Sequence, residues 1–302
     1  MYPIYNYISK VKKCKEVPIA FPPEHQPCQP GMEYLMNPKP ISINPYSKGS
    51  DKLRGKVAII TGGDSGIGRA ISYAFAKEGA NIVVVYLCEH EDAEETKKTV
   101  EELGSKCLLI SCDLTNESNS NKVVNKVLEV FGKIDILVNN CAVQFIQKNI
   151  LDITIEQLDL TFKTNVYSYF FMTKAVLPYL KEGSSIINTT SITAYEGNKE
   201  LIDYSATKGA ILTFTRSLSQ SLIDKGIRVN GVAPGPIWTP LIPSSYSSEQ
   251  VETFGTYTSE VPMKRAGQPF EVATCYVFLA SDDSSYMSGQ ILHPNGGKIT
   301  ST

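Results

Sequence analysis

Tyr204 and Lys208 are the residues in this sequence best suited to acid–base chemistry. Their four-residue spacing places both side chains on one face of a helix, one turn apart. A free tyrosine ionises near pH 10, and a neighbouring ammonium lowers that pKa. Such a tyrosine can exchange a proton with an alcohol or a ketone near neutral pH. The same spacing also occurs in ordinary surface pairs. Whether this pair is catalytic therefore depends on the elements that precede it in the chain.

A glycine-rich turn follows the first strongly apolar stretch of the chain. Residues 57–61 are typical of a buried parallel strand, glycines follow at 62, 63, 66 and 68, and residues 69–78 have helical periodicity. Glycines let the backbone approach a phosphate, and the first turn of a helix supplies free N–H groups. This order predicts a phosphate-binding turn, and a tight connection without a ligand is the alternative.

The rest of the chain alternates between strands and helices. The patterns predict strands at 81–86, 107–111, 134–138, 185–190, 227–232 and 290–293, and helices at 91–103, 117–131, 154–180, 206–224 and 270–280. This alternation predicts an α/β protein with a doubly wound parallel sheet covered on both faces. Ligands of such sheets bind at the carboxyl ends of the strands, where the polar residues Asp113, Asn139 and Ser191 stand.

Composition excludes several other classes of protein. The chain has 302 residues, 42% hydrophobic and 20% charged, with a net charge of -2, which gives no indication of a nucleic-acid partner. No apolar run is long enough to span a membrane, and the first residues do not resemble a secretion signal. Seven cysteines form no C-x-x-C, and three histidines are scattered. We therefore expect reduced cysteines, no metal site and a cytoplasmic location.

Two segments depart from the strand–helix alternation. Residues 1–54 are rich in proline, which predicts an extended arm anchored by Met32, Tyr34, Leu35 and Met36; for the first twenty residues a disordered tail is the alternative. Residues 55–302 are then the catalytic domain. Residues 238–265 lack clear periodicity, which indicates a lid over the substrate.

The ordered motifs resemble the short-chain dehydrogenase/reductase family from about Leu53 to the end of the chain. They are Thr61-Gly62-x-x-x-Gly66-x-Gly68, Asn139-Asn140, Ser191, Tyr204-x-x-x-Lys208 and Pro234-Gly235. The arm motifs Gln29-Pro30-Gly31-x-Glu33 and Met36-Asn37-Pro38-x-Pro40 are similar to a subgroup labelled glucose and ribitol dehydrogenase homologues. That label is not a reliable substrate assignment. The resemblance implies a Rossmann-like fold and hydride transfer between a nicotinamide and an alcohol or carbonyl.

The resemblance also implies catalytic roles. Tyr204 would be the general acid in reduction and the base in oxidation, and Lys208 would lower its pKa and hold the nicotinamide ribose. Ser191 would bind the substrate oxygen. Asn165 would position water for a proton relay; its alternative is a residue that bends the helix or contacts a neighbouring one.

The resemblance also implies which residues bind the cofactor and the substrate. The implied cofactor contacts are Gly62, Asp64, Ser65, Gly66, Ile67, Gly68, Glu89, Asp113, Leu114, Asn139, Cys141, Tyr204, Lys208, Pro234, Gly235, Ile237 and Thr239. The implied substrate contacts are Ser191, Gln144, Thr193 and Tyr204, and Phe145, Tyr195 and Glu196 should line the same pocket. A polyol, a small aldehyde and an alicyclic alcohol all remain open as substrates.

The cofactor can be NAD or NADP, and the residues after the second strand favour NAD. No arginine or lysine stands there to take a 2′-phosphate, and Glu89 lies about 20 residues past the glycine turn, where an acid meets the ribose diol. Glu89 could equally be the solvated start of the next helix. Cys141-Ala142 replaces the family's usual Ala-Gly, which crowds the backbone near the nicotinamide ribose.

Two other functions are possible on this fold, and the sequence also predicts how the subunits assemble. A dinucleotide-binding sensor or scaffold need not retain Ser191, Asn165, Tyr204 and Lys208, and all four are present. An isomerase or dehydratase on this fold tends to carry a larger C-terminal substrate domain. The helix predicted at 206–224 has an apolar stripe that exceeds the needs of its own sheet, so, with the family's pairing of this helix, we expect a homotetramer. That stripe consists of Ile211, Phe214, Leu218 and Leu222.

Overall fold

The computed structural model of this protein describes residues 20–256 and 261–300. It also pairs Tyr7–Ile8 with Lys13–Cys14 as a short antiparallel ribbon. Apart from this ribbon, residues 1–19 lie outside the described residues, so the choice between an extended arm and a disordered tail is not tested there. Positions 257–260 of the predicted lid lie outside the described residues as well.

Within the described part of the domain, seven strands form one parallel sheet. They are β1 (Val57–Thr61), β2 (Asn81–Tyr86), β3 (Cys107–Ser111), β4 (Ile136–Asn139), β5 (Ser185–Thr189), β6 (Arg228–Val232) and β7 (Ile291–Leu292). Their order is β3-β2-β1-β4-β5-β6-β7, and every neighbouring pair is parallel. The chain reverses its direction of growth between β1 and β4, and such a switch point creates a ligand crevice.

Helices cover both faces of the sheet. They are α1 (Gly66–Lys77), α2 (His90–Glu102), α3 (Glu117–Phe131), α4 (Ile155–Phe162), α5 (Ser168–Val176), α6 (Thr193–Glu196), α7 (Ile202–Leu222), α8 (Ser248–Thr253) and α9 (Pro269–Ala280). One apolar cluster contains residues of α1 and α9, and a second contains residues of α3, α5 and α7. The predicted doubly wound, Rossmann-like fold is therefore confirmed.

Two helices differ from the sequence prediction at points that bear on the site. α1 begins at Gly66 rather than at 69, because glycines in its first turn carry no apolar side chain to show the periodicity. α7 begins at Ile202 rather than at 206, and the Asp203 carboxylate accepts the Tyr204 N–H at 2.9 Å. Tyr204 consequently lies in the first turn of α7.

The predicted long helix at 154–180 is interrupted. α4 and α5 are joined by a π-helical turn, Lys163–Tyr167, and a 3₁₀ turn, Leu177–Tyr179, follows α5. π-helical turns inside α-helices frequently occur at functional sites, and this one contains Asn165.

The arm is fastened to the start of α1 by a buried carboxylate. Glu33 accepts the Gly66 N–H at 2.6 Å, and its other oxygen pairs with Arg69 at 2.7 Å. Arg69 also pairs with Asp92 at 2.9 Å, and Asp92 accepts the N–H groups of Glu33 and Tyr34. The arm is thus joined to both α1 and α2 by charged groups that are shielded from water.

A second group of contacts joins the arm to the predicted lid. Phe21 stacks on Trp238 with ring centres 3.9 Å apart, and the Trp238 indole N–H donates to the Pro38 carbonyl at 2.8 Å. Met36 is buried in the same apolar cluster. Leu35 is 58% exposed, so its prediction as an anchor is wrong: the 3₁₀ turn Glu33–Leu35 leaves that side chain in solvent.

The predicted lid is more regular than its sequence indicates. It contains the short helix α8, which begins with a capping box between Ser247 and Gln250. Val251 of this helix and Ile242 pack in the cluster that also holds Phe21 and Trp238. In the described part of the chain, no helix combines the length and the apolar character that a bilayer crossing requires.

Candidate active site

A cavity of about 660 Å³ opens at the carboxyl ends of the central strands. It brings together most of the residues singled out in the sequence, from six strand ends, the predicted lid and the start of α7. These lining residues are Gly62, Asp64, Ser65, Gly66, Ile67, Glu89, Asp113, Leu114, Cys141, Gln144, Phe145, Ser191, Thr193, Glu196, Tyr204, Lys208, Pro234, Gly235, Ile237 and Thr239. Four further candidates, Gly68, Asn139, Asn165 and Tyr195, are not among the lining residues.

The glycine turn holds conformations that other residues adopt with strain. Gly62 and Gly66 have positive φ angles of 62° and 51°. Gly68 has a different role from the expected cofactor contact, because a Cβ there would lie 1.8 Å from the Gly62 carbonyl oxygen. Gly68 allows α1 to pack closely against the turn, and the residues before it line the cavity.

The two asparagines at the end of β4 face different surroundings. The side chain of Asn139 donates to Asn188 at 2.9 Å and to Thr173 at 3.3 Å, inside the protein. Asn140 lines the cavity instead, and its amide donates to the carbonyls of Thr61 and Gly62. The asparagine that faces the ligand space is therefore Asn140, which the sequence prediction had not selected.

Ser191, Tyr204 and Lys208 meet at the wall of the cavity. Ser191 follows β5 and lies near the phenol of Tyr204, whose pKa it lowers against the larger effect of burial. The Lys208 ammonium lies 5.5 Å from the centre of the Tyr204 ring and donates to the Thr189 carbonyl at 3.0 Å. All three side chains are buried.

Burial moves the pKa values of this pair in opposite directions. It raises the pKa of Tyr204 and lowers the pKa of Lys208 to about 8. The spacing of the pair had predicted a lowered tyrosine pKa, and the structure gives the opposite direction for these residues alone. The cost of removing a phenolate from water outweighs the effect of Ser191, which lowers the pKa of Tyr204.

Asn165 lies behind the cavity and holds the loop that follows β4. Its amide accepts the Val143 N–H and donates to the Val143 carbonyl, both at 2.8 Å, and it also donates to Thr207 at 3.1 Å. These bonds agree with the alternative of a residue that makes contacts between elements.

The opposite end of the cavity is acidic. Glu89 is 5% exposed, which excludes the alternative of a solvated helix start, and its carboxylate accepts the N–H groups of Leu87 and Cys88. Asp64 is also buried, and its Oδ2 has no hydrogen-bond partner among the described residues. Burial and the charge of Glu89 raise the pKa of Asp64.

This acidic end fits the hydroxyl groups of a ribose. An unpartnered buried carboxylate oxygen needs a donor, and ribose hydroxyls are donors. The nearby Arg69 is engaged by Glu33 and Asp92. Asp113, at the end of β3, accepts the N–H and O–H of Thr115, and the neighbouring Leu114 is buried.

The sequence prediction missed the contribution of the arm to this cavity. Gln29, Pro30 and Gly31 line it, together with Tyr246 and Phe254 from the predicted lid. The sequence indicated the Gln-Pro-Gly motif only as a subgroup feature, because Gln144, the partner of Gln29, lies more than a hundred positions away in sequence. Tyr195, expected in the pocket, instead packs against His293 with ring centres 4.8 Å apart.

Residues 20–256 and 261–300 contain no group of three or more histidine, cysteine, aspartate or glutamate side chains placed to hold a metal ion.

Comparison with known proteins identifies the family. Residues 62–298 match the family model described as enoyl-(acyl carrier protein) reductase. A Brucella melitensis structure described as a short-chain dehydrogenase/reductase, glucose/ribitol dehydrogenase, is 34% identical, with a TM-score of 0.75 over 84% of this chain and 100% of that one. The chain belongs to the short-chain dehydrogenase/reductase family. A Burkholderia cenocepacia short-chain dehydrogenase in complex with NADP is 29% identical, with a TM-score of 0.76 over 82% of this chain and 98% of that one.

Curated relatives of this short-chain dehydrogenase/reductase match nearly its whole length. The uncharacterized oxidoreductase YhxC of Bacillus subtilis is 64% identical over 93% of this chain and 96% of its own. Glucose and ribitol dehydrogenase of Daucus carota is 56% identical over 92% and 97%. NADPH-dependent aldehyde reductase 1, chloroplastic, of Arabidopsis thaliana is 53% identical over 91% and 97%. The protein is thus an oxidoreductase of a family that uses NAD or NADP.

The pKa of Lys208 predicts a pH-dependent effect of Lys208→Met on stability. The folded value of about 8 lies below the ordinary 10.5, so between these values the unfolded chain binds more protons and stability rises with pH. Below about pH 8 the buried ammonium carries its full desolvation cost. We expect Lys208→Met to have the larger unfolding free energy at pH 7, and the difference to shrink by about pH 9.5.

Urea unfolding of both proteins without coenzyme, at the two pH values, measures this difference. The Thr189 carbonyl keeps the Tyr169 hydroxyl as a donor at 3.2 Å, so the substitution leaves no acceptor unpaired there. A variant that is less stable than the wild type at both pH values would contradict the assignment of a costly buried ammonium.

Proposed function

We propose that this enzyme interconverts an alcohol and a carbonyl at the wall formed by Ser191, Tyr204 and Lys208. The observation that carries the proposal is that Ser191 and Tyr204 line the cavity near each other, with Lys208 buried one helical turn further on. A bound nicotinamide coenzyme supplies or accepts the hydride. The proposed holders of that coenzyme are the glycine turn, Asp64 and Glu89 at one end and Lys208 at the other.

Tyr204 moves the proton that accompanies the hydride. In reduction, its hydroxyl donates a proton to the substrate oxygen while the carbonyl carbon gains the hydride; in oxidation, the same oxygen takes the alcohol proton. Ser191 donates a hydrogen bond to the substrate oxygen as negative charge develops on it. The Thr193 N–H donates to the Ser191 oxygen at 3.2 Å and orients it for this role. Asn165 acts in this scheme by holding the loop after β4.

The substrate is a small alcohol or carbonyl compound. The pocket combines amide and hydroxyl groups from Gln144 and Thr193 with the aromatic rings of Phe145 and Tyr246. This lining supports an aldehyde or a polyol, and the names of the carrot and Arabidopsis relatives point to the same two classes.

Six cysteines in the described residues are free, which supports the proposed cytoplasmic location.

Tyr204→Phe should remove nearly all turnover and leave the fold and the coenzyme affinity intact. The ring remains to pack, whereas the proton donor is lost, and such groups contribute about 10²–10⁴-fold. Steady-state assays with aldehydes and polyols, combined with coenzyme titration, measure both effects. Tyr195→Phe is the matched control, because its hydroxyl has no hydrogen-bond partner in the described residues and does not line the cavity. Turnover near that of the wild type in Tyr204→Phe would place the proton donor elsewhere.

NAD should be used more efficiently than NADP, because Glu89 would repel a 2′-phosphate and residues 87–89 after β2 offer that phosphate no arginine or lysine. Glu89→Ala should narrow this preference, and Glu91→Ala, which changes an exposed acid in the first turn of α2, should not. The ratio of kcat/KM values for the two coenzymes measures the preference. A preference for NADP of about tenfold or more, equivalent to about 1.4 kcal/mol, would overturn the assignment of the acidic end.

We propose a homotetramer with two-fold axes. Half of the predicted stripe, Ile211 and Leu222, is buried within its own subunit. The support comes instead from α5 and the π-helical turn before it. Tyr167 of the turn and Phe170 of α5 are partly exposed, and Phe170 packs against Phe214 of α7 with ring centres 4.1 Å apart. Light scattering at micromolar protein should give four times the chain mass, and Phe170→Asp should reduce it. A monomeric mass for the wild type would contradict the proposal.

A further inference from the structure

The loop after β4 forms one side of the substrate end of the cavity, and it has no strand neighbour at Val143 and Gln144. The backbone groups of these two residues are held by side-chain amides instead. Asn165 binds both the N–H and the carbonyl of Val143. The arm residue Gln29 does the same for Gln144: its Oε1 accepts the N–H at 3.1 Å, and its Nε2 donates to the carbonyl at 2.5 Å.

Gln144 passes this constraint on to the predicted lid. Its side chain is 4% exposed and donates to the Ser245 hydroxyl at 2.8 Å, and Ser245 in turn donates to the Leu241 carbonyl. Gln29 therefore joins three segments that are distant in sequence: the arm, the loop after β4 and the lid.

The arm has little freedom to shift at this point. A Cβ added to Gly31 would lie 2.3 Å from the Pro240 carbonyl oxygen and 2.9 Å from the Ser244 hydroxyl. The backbone of the arm thus lies directly against the lid two residues beyond Gln29. Because both ends of the Gln29 amide are used and its backbone is packed, its position fixes that of Gln144.

We propose that Gln29 is a positioning residue for the substrate half of the active site. It holds Gln144, and through Gln144 the polar side of the substrate pocket, as Asn165 holds Val143. This inference rests on the proposed alcohol–carbonyl reaction. The coenzyme half is fastened to the arm separately, through Glu33, so the effect of Gln29 belongs to the substrate and not to the coenzyme.

Gln29→Met tests the role, because methionine has nearly the same length and cannot make either hydrogen bond. We expect kcat/KM for the carbonyl substrate to fall by about tenfold or more, since small misplacements in a substrate site are costly in rate. Coenzyme affinity should stay within about twofold of the wild type. Gln29→Glu keeps the acceptor for the Gln144 N–H and sets a carboxylate against the carbonyl, so it should not restore the rate.

Gln26→Met is the matched control. The Gln26 amide also binds both backbone groups of one residue, Met32, at 2.7 and 2.9 Å, but this bond pair lies within the arm and Gln26 does not line the cavity. This variant should lose stability and keep kcat/KM within about twofold. An equal loss of activity in both variants would assign the effect to arm docking in general and overturn the proposal.

Hydrogen exchange separates this inference from the proposed reaction. In the protein without coenzyme, amides of residues 141–147 should exchange about tenfold faster in Gln29→Met and at the wild-type rate in Gln26→Met. A wild-type protein that turns over no alcohol or carbonyl would refute the proposed reaction and leave this measurement to decide whether Gln29 holds the loop. Unchanged exchange, or kcat/KM within about twofold of the wild type in a folded Gln29→Met, would refute the role of Gln29.

Discussion

The buried guanidinium of Arg69 is the group on which the acidic end of the cavity depends. It donates to the Asp64 carbonyl and the Thr96 hydroxyl through Nε, to Glu33 through Nη1 and to Asp92 through Nη2. A charge this far from water is tolerated only when it is fully paired, and the four partners here come from three segments. Arm, glycine turn and α2 are therefore joined by one side chain, and the acidic end of the cavity is built on that junction.

The parts of the fold that could be predicted from the sequence are those in which local pattern and tertiary structure agree. β2 was predicted with its observed bounds, because a continuous apolar run in a parallel sheet leaves little ambiguity. α3 was predicted with its observed bounds as well, and Gly132 ends it in the left-handed conformation that glycine favours. The alternation of strand and helix patterns was enough to predict the doubly wound sheet.

The parts that could not be predicted depend on contacts between distant residues. Nothing local distinguishes the buried Glu33 from a solvated acid, because its partner Arg69 is 36 positions away. The direction of the Tyr204 pKa depends on burial, and the four-residue spacing to Lys208 carries no information about burial. The side chains of Asn139 and Asn140 are expected to point to opposite sides, because side chains alternate along a strand. The sequence pattern does not say which of the two sides meets the ligand.

The contacts between the arm and the lid have a consequence for biosynthesis. Phe21 packs on Trp238, and the Ile41 N–H donates to the side chain of Gln268, so the beginning of the chain is completed by segments near its end. The arm precedes these partners in the chain and cannot contact them until more than two hundred further residues have been made. Contacts of such wide sequence separation form slowly. Phe21 and Ile41 therefore stay without these partners until residues 238 and 268 have been made, whereas the ion pair of Glu33 with Arg69 can form much earlier.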